Sequence, residues 1–208
     1  ITFEKLADAD QHEKIVEQID RNATYSPESR RIIGQAYLML AGRETNTPEQ
    51  EEQFCLQALE YGATSAYMGL YFIHAAKDET KALGFLRQYV ATQPKDSVPY
   101  VILGESELEK NNATAAVKYL LEAKNAARGK SANLDFLLFQ ANYLIGDYAT
   151  ASAMFASSLS LGKTREEVNS LIASDKRFTD MKQRAEFKNF FAADGGMTTV
   201  DTGNTPKR

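Results

Sequence analysis

Two histidines, His12 and His74, and a single cysteine, Cys55, are all that this chain of 208 residues offers as soft metal ligands or thiol nucleophile. A structural zinc site takes roughly four such ligands and an internal disulfide takes a second cysteine, so neither is expected. His74 has no Cys or HExxH partner close in sequence and reads as a partner-facing or half-buried side chain. Cys55 lies among Phe54, Leu56 and Leu59, where a small apolar filler is the simplest role; a nucleophile would need a basic neighbour. Gly162-Lys163-Thr164 has the letters of a phosphate loop's end, but Ser157 stands where that loop needs its first glycine, and the segment follows a helix pattern and not a strand. It reads as an inter-helix turn with a capping threonine. Glu105, Glu107 and Glu109, spaced by two on a helix, fan out and do not converge on one ion, so they read as a solvated face. Asn22-Ala23-Thr24 and Asn112-Ala113-Thr114 match the glycosylation triplet at a frequency chance supplies. No catalytic residue, metal or cofactor is therefore expected, and no enzyme.

The elements that carry these residues follow from composition and spacing. Apolar residues make up 43% of the chain and charged ones 25%, enough for a real core. The net charge of −4 gives no overall basic field to draw nucleic acid, and no window reaches the roughly 18 apolar residues of a spanning helix, so no membrane insertion is expected. The chain starts at Ile1 and not Met. That start suits a removed segment, which places the protein in the periplasm if the segment was an export signal and in the cytoplasm otherwise.

Proline and glycine are scarce between residues 3 and 192, and apolar residues recur at three and four positions, the helical period. The spacing predicts helices at 3–20, 27–42, 48–62, 65–76, 79–92, 97–110, 113–126, 131–145, 148–161, 164–174 and 180–192. Thr47 with Gln50 and Thr164 with Glu167 read as capping boxes; Ser26, Asn112 and Asp147 read as simpler caps. Residues 193–208 are rich in Gly, Thr, Asp and Asn and read as a flexible tail with little to bury.

The helix pairs repeat with a period of about 34 residues, the signature of a solenoid. Leu103-Gly104, Ala116, Leu120 and Ala123, then Gly146-Asp147-Tyr148, Ala151 and Phe155, resemble the tetratricopeptide (TPR) pattern. Met68-Gly69, Phe72, Phe85 and Pro94 resemble another unit, and Ile33-Gly34 with Tyr37 opens the earliest. That first unit is longer between Gly42 and Gln53, as in the related Sel1-like repeats. The resemblance implies an all-α, right-handed α-solenoid of about four repeats over 27–161 in a bacterial protein. Its ends would be closed by an N-terminal helix within 1–26, whose apolar stripe is Leu6, Ile15, Val16 and Ile19, and by capping helices over 162–192. Val168, Leu171, Phe178, Met181, Phe187 and Phe191 would form the C-terminal lid.

In such an array the first helix of each pair lines the concave wall. The register puts Arg31, Gln35, Leu38 and Met39 there, then Ala66, Leu70, Ile73 and His74, then Val101, Glu105 and Leu108, and last Phe136, Gln140 and Tyr143. The family's clamp for chaperone tails is not expected, because Tyr67 stands where it uses an asparagine. The reading that results is a non-enzymatic module that binds a protein or peptide in this groove, as an adaptor, scaffold or assembly factor of a secretion, pilus or envelope complex. The alternatives are a permanent structural subunit, a toxin-neutralising (immunity) partner and a substrate chaperone. Residues 1–104 hold 15 acidic and 10 basic side chains, a balance that predicts a basic partner for this half.

Overall fold

The computed structural model describes residues 2–8 and 10–191; the expected tail at 193–208 lies outside them. The described residues form helices and turns with no strand, and the chain divides at Gly129/Lys130 into two compact units. The division falls inside the expected array. Its local cause is that α8 (Ala113–Ala126) ends in extended backbone at Ala127 and is followed by the exposed residues 128–130.

The N-terminal unit contains α1 (Phe3–Asp8), α2 (His12–Glu17), α3 (Pro27–Ala41), α4 (Pro48–Glu60), α5 (Ala66–Ala75), α6 (Glu79–Ala91), α7 (Val98–Glu109) and α8. The single helix expected at 3–20 is two short ones. Asp10 takes a positive φ of 52°, and the Gln11 and Asp10 amides donate back to the Leu6 and Ala7 carbonyls at 2.9 and 3.0 Å, a left-handed stop that ends the first helix. Helices α3 and α4, α5 and α6, and α7 and α8 pack as consecutive pairs.

Helix starts follow local chemistry. Thr47 Oγ1 accepts from the Gln50 amide while Gln50 Oε1 accepts from the Thr47 amide, closing a capping box before Pro48. Ser26 Oγ accepts from the Ser29 amide. Asp78 caps α6 by accepting from the Lys81 amide, a cap absent from the sequence reading. Asn112 does not cap α8; its amide donates to Glu107 at 2.7 Å. The long first connection has its own account, because Asn46 donates to the Leu40 and Ala41 carbonyls at 2.7 and 3.1 Å and satisfies groups that a shorter turn would leave open.

Small residues in the first helices permit close approach. A Cβ on Gly69 would stand 2.7 Å from Cys55 Sγ, and one on Gly104 would stand 2.7 Å from the Leu120 side chain. The core around α3, α4 and α5 buries Ile32, Ile33, Ala36, Cys55, Ala58 and Leu70 together with Leu6 and Ile15 from the N-terminal helices. Burial pushes the Cys55 thiol up to about 11, so it stays protonated at neutral pH and serves as packing. Phe72, by contrast, is 65% exposed.

The C-terminal unit holds α9 (Ala132–Ile145), α10 (Tyr148–Ser160), α11 (Arg165–Ser174), two 3₁₀ turns at Lys176–Phe178 and Met181–Gln183, and α12 (Lys188–Phe191). The Gly-Asp-Tyr turn is built as its residue types require: Gly146 sits at φ 84° as the left-handed stop of α9, and Asp147 accepts from the Thr150 amide to start α10. The helix expected at 180–192 is broken up to Phe191: a 3₁₀ turn at Met181–Gln183, irregular turns through Phe187 and a single α-helical turn at Lys188–Phe191. Three fully buried side chains, Phe178, Met181 and Phe187, pin it onto α9 and α10.

That closing segment is tied by a polar latch. The Tyr143 hydroxyl donates to Asp180, and Arg184 donates to Asp180 at 2.5 Å and to the Tyr143 hydroxyl at 3.1 Å while its guanidinium lies 3.7 Å from the centre of the Tyr148 ring. Burial, with the hydrogen bond to Asp180, pushes Tyr143 up to about 12. A folded-state value above the unfolded one means that this contribution is whole below about pH 10, where a free tyrosine titrates, and is lost as pH rises through the folded value. Absorbance titration at high pH is expected to show one tyrosine ionising late, and Tyr143→Phe should remove that component. The Tyr143 and Arg184 hydrogen bonds hold Asp180 below the usual carboxylate range, so its contribution is present above the ordinary carboxylate pKa and lost as acid passes the folded value. Asp180→Asn should flatten the acid limb of the stability profile; an unchanged limb would show that the latch does not hold the segment.

Candidate functional site

The candidate site grows from one face of α3. Pro27, Arg31, Gln35 and Leu38 follow one another at helical spacing, and they form one wall of an open cleft of about 750 Å³ in the N-terminal unit. Its floor and far wall come from turns. Tyr61–Ser65, between α4 and α5, is turned by Gly62 at φ 86°, a backbone conformation that glycine adopts without strain. Thr92, Pro94 and Lys95 follow α6, whose Tyr89 also faces the cleft.

The aromatic side of the cleft is ordered by ring contacts. Tyr61 stacks on Tyr37 at 5.9 Å and meets Tyr25 edge-on at 6.3 Å, and Tyr25 is anchored by the Asp20 backbone amide, which donates to its hydroxyl at 2.7 Å. Burial raises the phenols of Tyr61 and Tyr89 above the ordinary tyrosine value, so both are neutral donors at physiological pH. Arg30 donates to the Glu60 carbonyl at 2.5 Å and lies over Tyr61 at 5.6 Å. Arg31 pairs with Glu28 at 2.6 Å, both side chains more than half exposed. Among the described residues no His, Cys, Asp or Glu lines the cleft. The arrangement offers cations, hydroxyls and aromatic faces, which suits recognition.

Of the expected groove residues, Arg31, Gln35 and Leu38 meet in this cleft; Met39 is exposed on the next face of α3. Others are placed differently. Ala66 and Leu70 are fully buried where α5 packs on its neighbours, and Leu108 is buried near the end of α7. Ile73, His74, Val101 and Glu105 are half-buried. In the C-terminal unit Phe136 and Tyr143 belong to the aromatic core and Gln140 is half-buried. A partner cannot touch Ala66, Leu70, Leu108, Phe136 or Tyr143 in this conformation, because their surfaces are already spent on neighbouring helices.

The residues whose types suggested chemistry also find structural partners. His74 Nε2 lies 2.9 Å from Glu52, its ring stacks on Phe85 at 5.6 Å, and Lys81 donates to the same Glu52 oxygen at 3.0 Å. Those hydrogen bonds, Lys81's first and His74's next, hold Glu52 below the usual carboxylate range. The carboxylates of α7 are not one solvated face. Glu107 is only 12% exposed and faces Arg87 at 3.5 Å, while burial, helped by Glu109, raises the carboxyl of half-buried Glu105. Gly162-Lys163-Thr164 is an inter-helix turn: Thr164 and Glu167 form a capping box, and Lys163 pairs with Glu167 at 2.8 Å over the Phe136 ring. Ser157 donates to Asp135 at 2.5 Å, a helix-to-helix bond within its own unit. Among the described residues no group of three or more His, Cys, Asp or Glu could hold a metal ion, and no helix is long and apolar enough to cross a membrane.

Sequence reasoning missed Tyr61, Thr64, Ser65, Tyr89 and Lys95 because it searched first helices alone, and it passed over Arg30 on α3 because it took only the face of Arg31, Gln35 and Leu38. The turns after α4 and α6 carried a usable signal, Gly62 before Thr64-Ser65 and Pro94 before Lys95, since such turns sit beside the start of the next helix. Fold and cleft together define the class: an all-α protein of consecutively packed helix pairs with an open, uncharged-to-cationic cleft on its N-terminal unit. In comparison with known proteins, the chain matches no family model and no curated sequence.

Proposed function

We propose that this chain is a non-enzymatic protein-interaction module built from TPR-like or Sel1-like helix pairs, holding a segment of a partner protein in the cleft beside α3. The observation that carries this reading is the cleft itself. Arg31, Gln35 and Leu38, the partner-facing positions of the first repeat, form one of its walls. The repeat reading draws further support from the helix pairs that start at 27, 66, 98 and 132, steps of 39, 32 and 34 residues. Glycines at positions 34, 69 and 104 also stand where a Cβ would crowd a neighbouring helix or turn.

A second reading, a permanent subunit of a larger assembly, is favoured by Phe72. A phenylalanine 65% exposed, on an otherwise apolar helix, suits a buried interface. The two readings separate by variant. Gln35→Trp fills the cleft from an exposed helical position, and Phe72→Ser removes the exposed ring. In affinity capture from lysate of the source organism, the cleft reading expects a partner held by the wild type and lost about tenfold or more with Gln35→Trp, with the helical circular dichroism unchanged. Loss with Phe72→Ser alone would transfer the interface to α5, and retention by both variants would remove the two surfaces together.

A further inference from the structure

The charge of the cleft runs against the charge of the half of the chain that builds it. Residues 1–104 carry 15 acidic and 10 basic side chains, so a patch drawn at random from this surface should hold more carboxylates than cations. Among the described residues the lining of the cleft holds Arg30, Arg31 and Lys95 and no carboxylate; Glu60 and Asp96 stand outside the lining, close enough to act on Tyr61 and Tyr89. The three cations stand on two sides of the cleft, two on α3 and one after α6. We propose, resting on the reading of this cleft as a partner site, that its occupant is an acidic peptide segment: side-chain or terminal carboxylates meet Arg30, Arg31 and Lys95, and an apolar side chain lies against Tyr61, Tyr89 and Leu38.

Each cation is available in a different way. Arg30 is oriented by a backbone carbonyl, that of Glu60, and by the Tyr61 ring, so its position is set without its charge being cancelled by a carboxylate. Arg31 spends its charge on Glu28, but both partners are more than half exposed, and exposed pairs of this kind contribute little and exchange readily for a ligand carboxylate held in a partly enclosed site. Lys95 is exposed and has no ion pair among the described residues. Guanidinium groups favour carboxylates through paired N–H donors. The acidic balance of residues 1–104 then acts as selection at a distance: it disfavours anionic partners on the rest of this half and so favours the cleft for an acidic segment.

The test uses the full chain and two displayed libraries of random peptides of about 12 residues, one presenting a free C-terminus and one presenting internal segments. Sequences selected on the wild type are then measured, as synthetic peptides, on Arg31→Gln/Lys95→Gln, a variant that alters only exposed side chains and should keep the wild-type melting temperature. The expected result is enrichment of Asp and Glu beside an aromatic or aliphatic residue. Affinity should fall about tenfold on the double variant and fall steadily with added salt. Enrichment in the free-terminus library alone would assign one carboxylate to the chain end; enrichment in both would assign them to side chains. Binders without acidic bias, or binders equally tight on the variant, would overturn the acidic occupant and leave the interaction module standing. No binders from either library would overturn both.

Discussion

Phe139→Ala is expected to destabilise the C-terminal unit by about 3 to 5 kcal/mol, the range for removing a fully buried aromatic ring. Phe139 has no exposed surface, and its ring centre lies 5.5 Å from Phe136, 5.1 Å from Phe155, 5.9 Å from Phe178 and 6.0 Å from Phe187. It is thus, with Tyr143, a contact through which α9 meets α10 and the closing segment at once. The two 3₁₀ turns of that segment carry few regular backbone hydrogen bonds, so a cavity at Phe139 removes what holds them down. Against a typical total stability of about 5 to 15 kcal/mol, the loss should be plain in urea denaturation followed by near- and far-ultraviolet circular dichroism. Amide exchange should show residues 176–191 opening first. Phe190→Ala, at a half-buried ring, is the comparison and should lose much less. A Phe139→Ala loss below about 1 kcal/mol would mean that this aromatic cluster is not the core of the unit.

The second large effect is Leu70→Glu. By repeat register Leu70 belongs with Arg31 and Gln35 on a partner-facing wall, yet it is wholly buried in the core of α3, α4 and α5. A carboxylate there has no cation to meet, and an uncompensated buried charge destabilises by about 3 to 5 kcal/mol. The substitution should therefore unfold much of the N-terminal unit, whereas Gln35→Trp leaves it folded. The sign of the pH dependence is a further check. Burial raises a carboxyl's folded pKa above its unfolded value, so the variant should recover stability as pH falls below the ordinary carboxylate range and show its full deficit above the raised one. A variant that stays folded at neutral pH with wild-type stability would place Leu70 at the surface after all.

The contrast between Gln35 and Leu70 shows how far the residues alone could be read. On α3, polar and apolar side chains separate onto different faces, so the face of Arg31, Gln35 and Leu38 could be identified by spacing. On α5 the run from Ala66 to Ala75 is apolar nearly all round, and periodicity cannot say which apolar stripe is the core. The register chose Ala66 and Leu70 for the partner, and packing buried them and exposed Phe72. Likewise the spacing of Met181, Phe187 and Phe191 reads as helical over 180–192, but Phe187 is buried from an irregular turn, and Phe178 and Met181 are buried from two 3₁₀ turns. Asp175 supports the first of these by accepting from the Arg177 amide.

By itself the sequence determined the all-helical class, most helix starts, and the glycines that must lie against a neighbour. These depend on interactions within a turn or two of chain: capping hydroxyls and carboxylates, the missing Cβ, the period of apolar residues. Tertiary structure alone decided which of several equally apolar faces became core, where the closing segment abandoned regular helix, and that Arg31 and Lys95 share a cleft. Those outcomes depend on contacts between residues far apart in the chain, where the packing of whole helices, and not any local preference, sets which side chains remain to meet a partner.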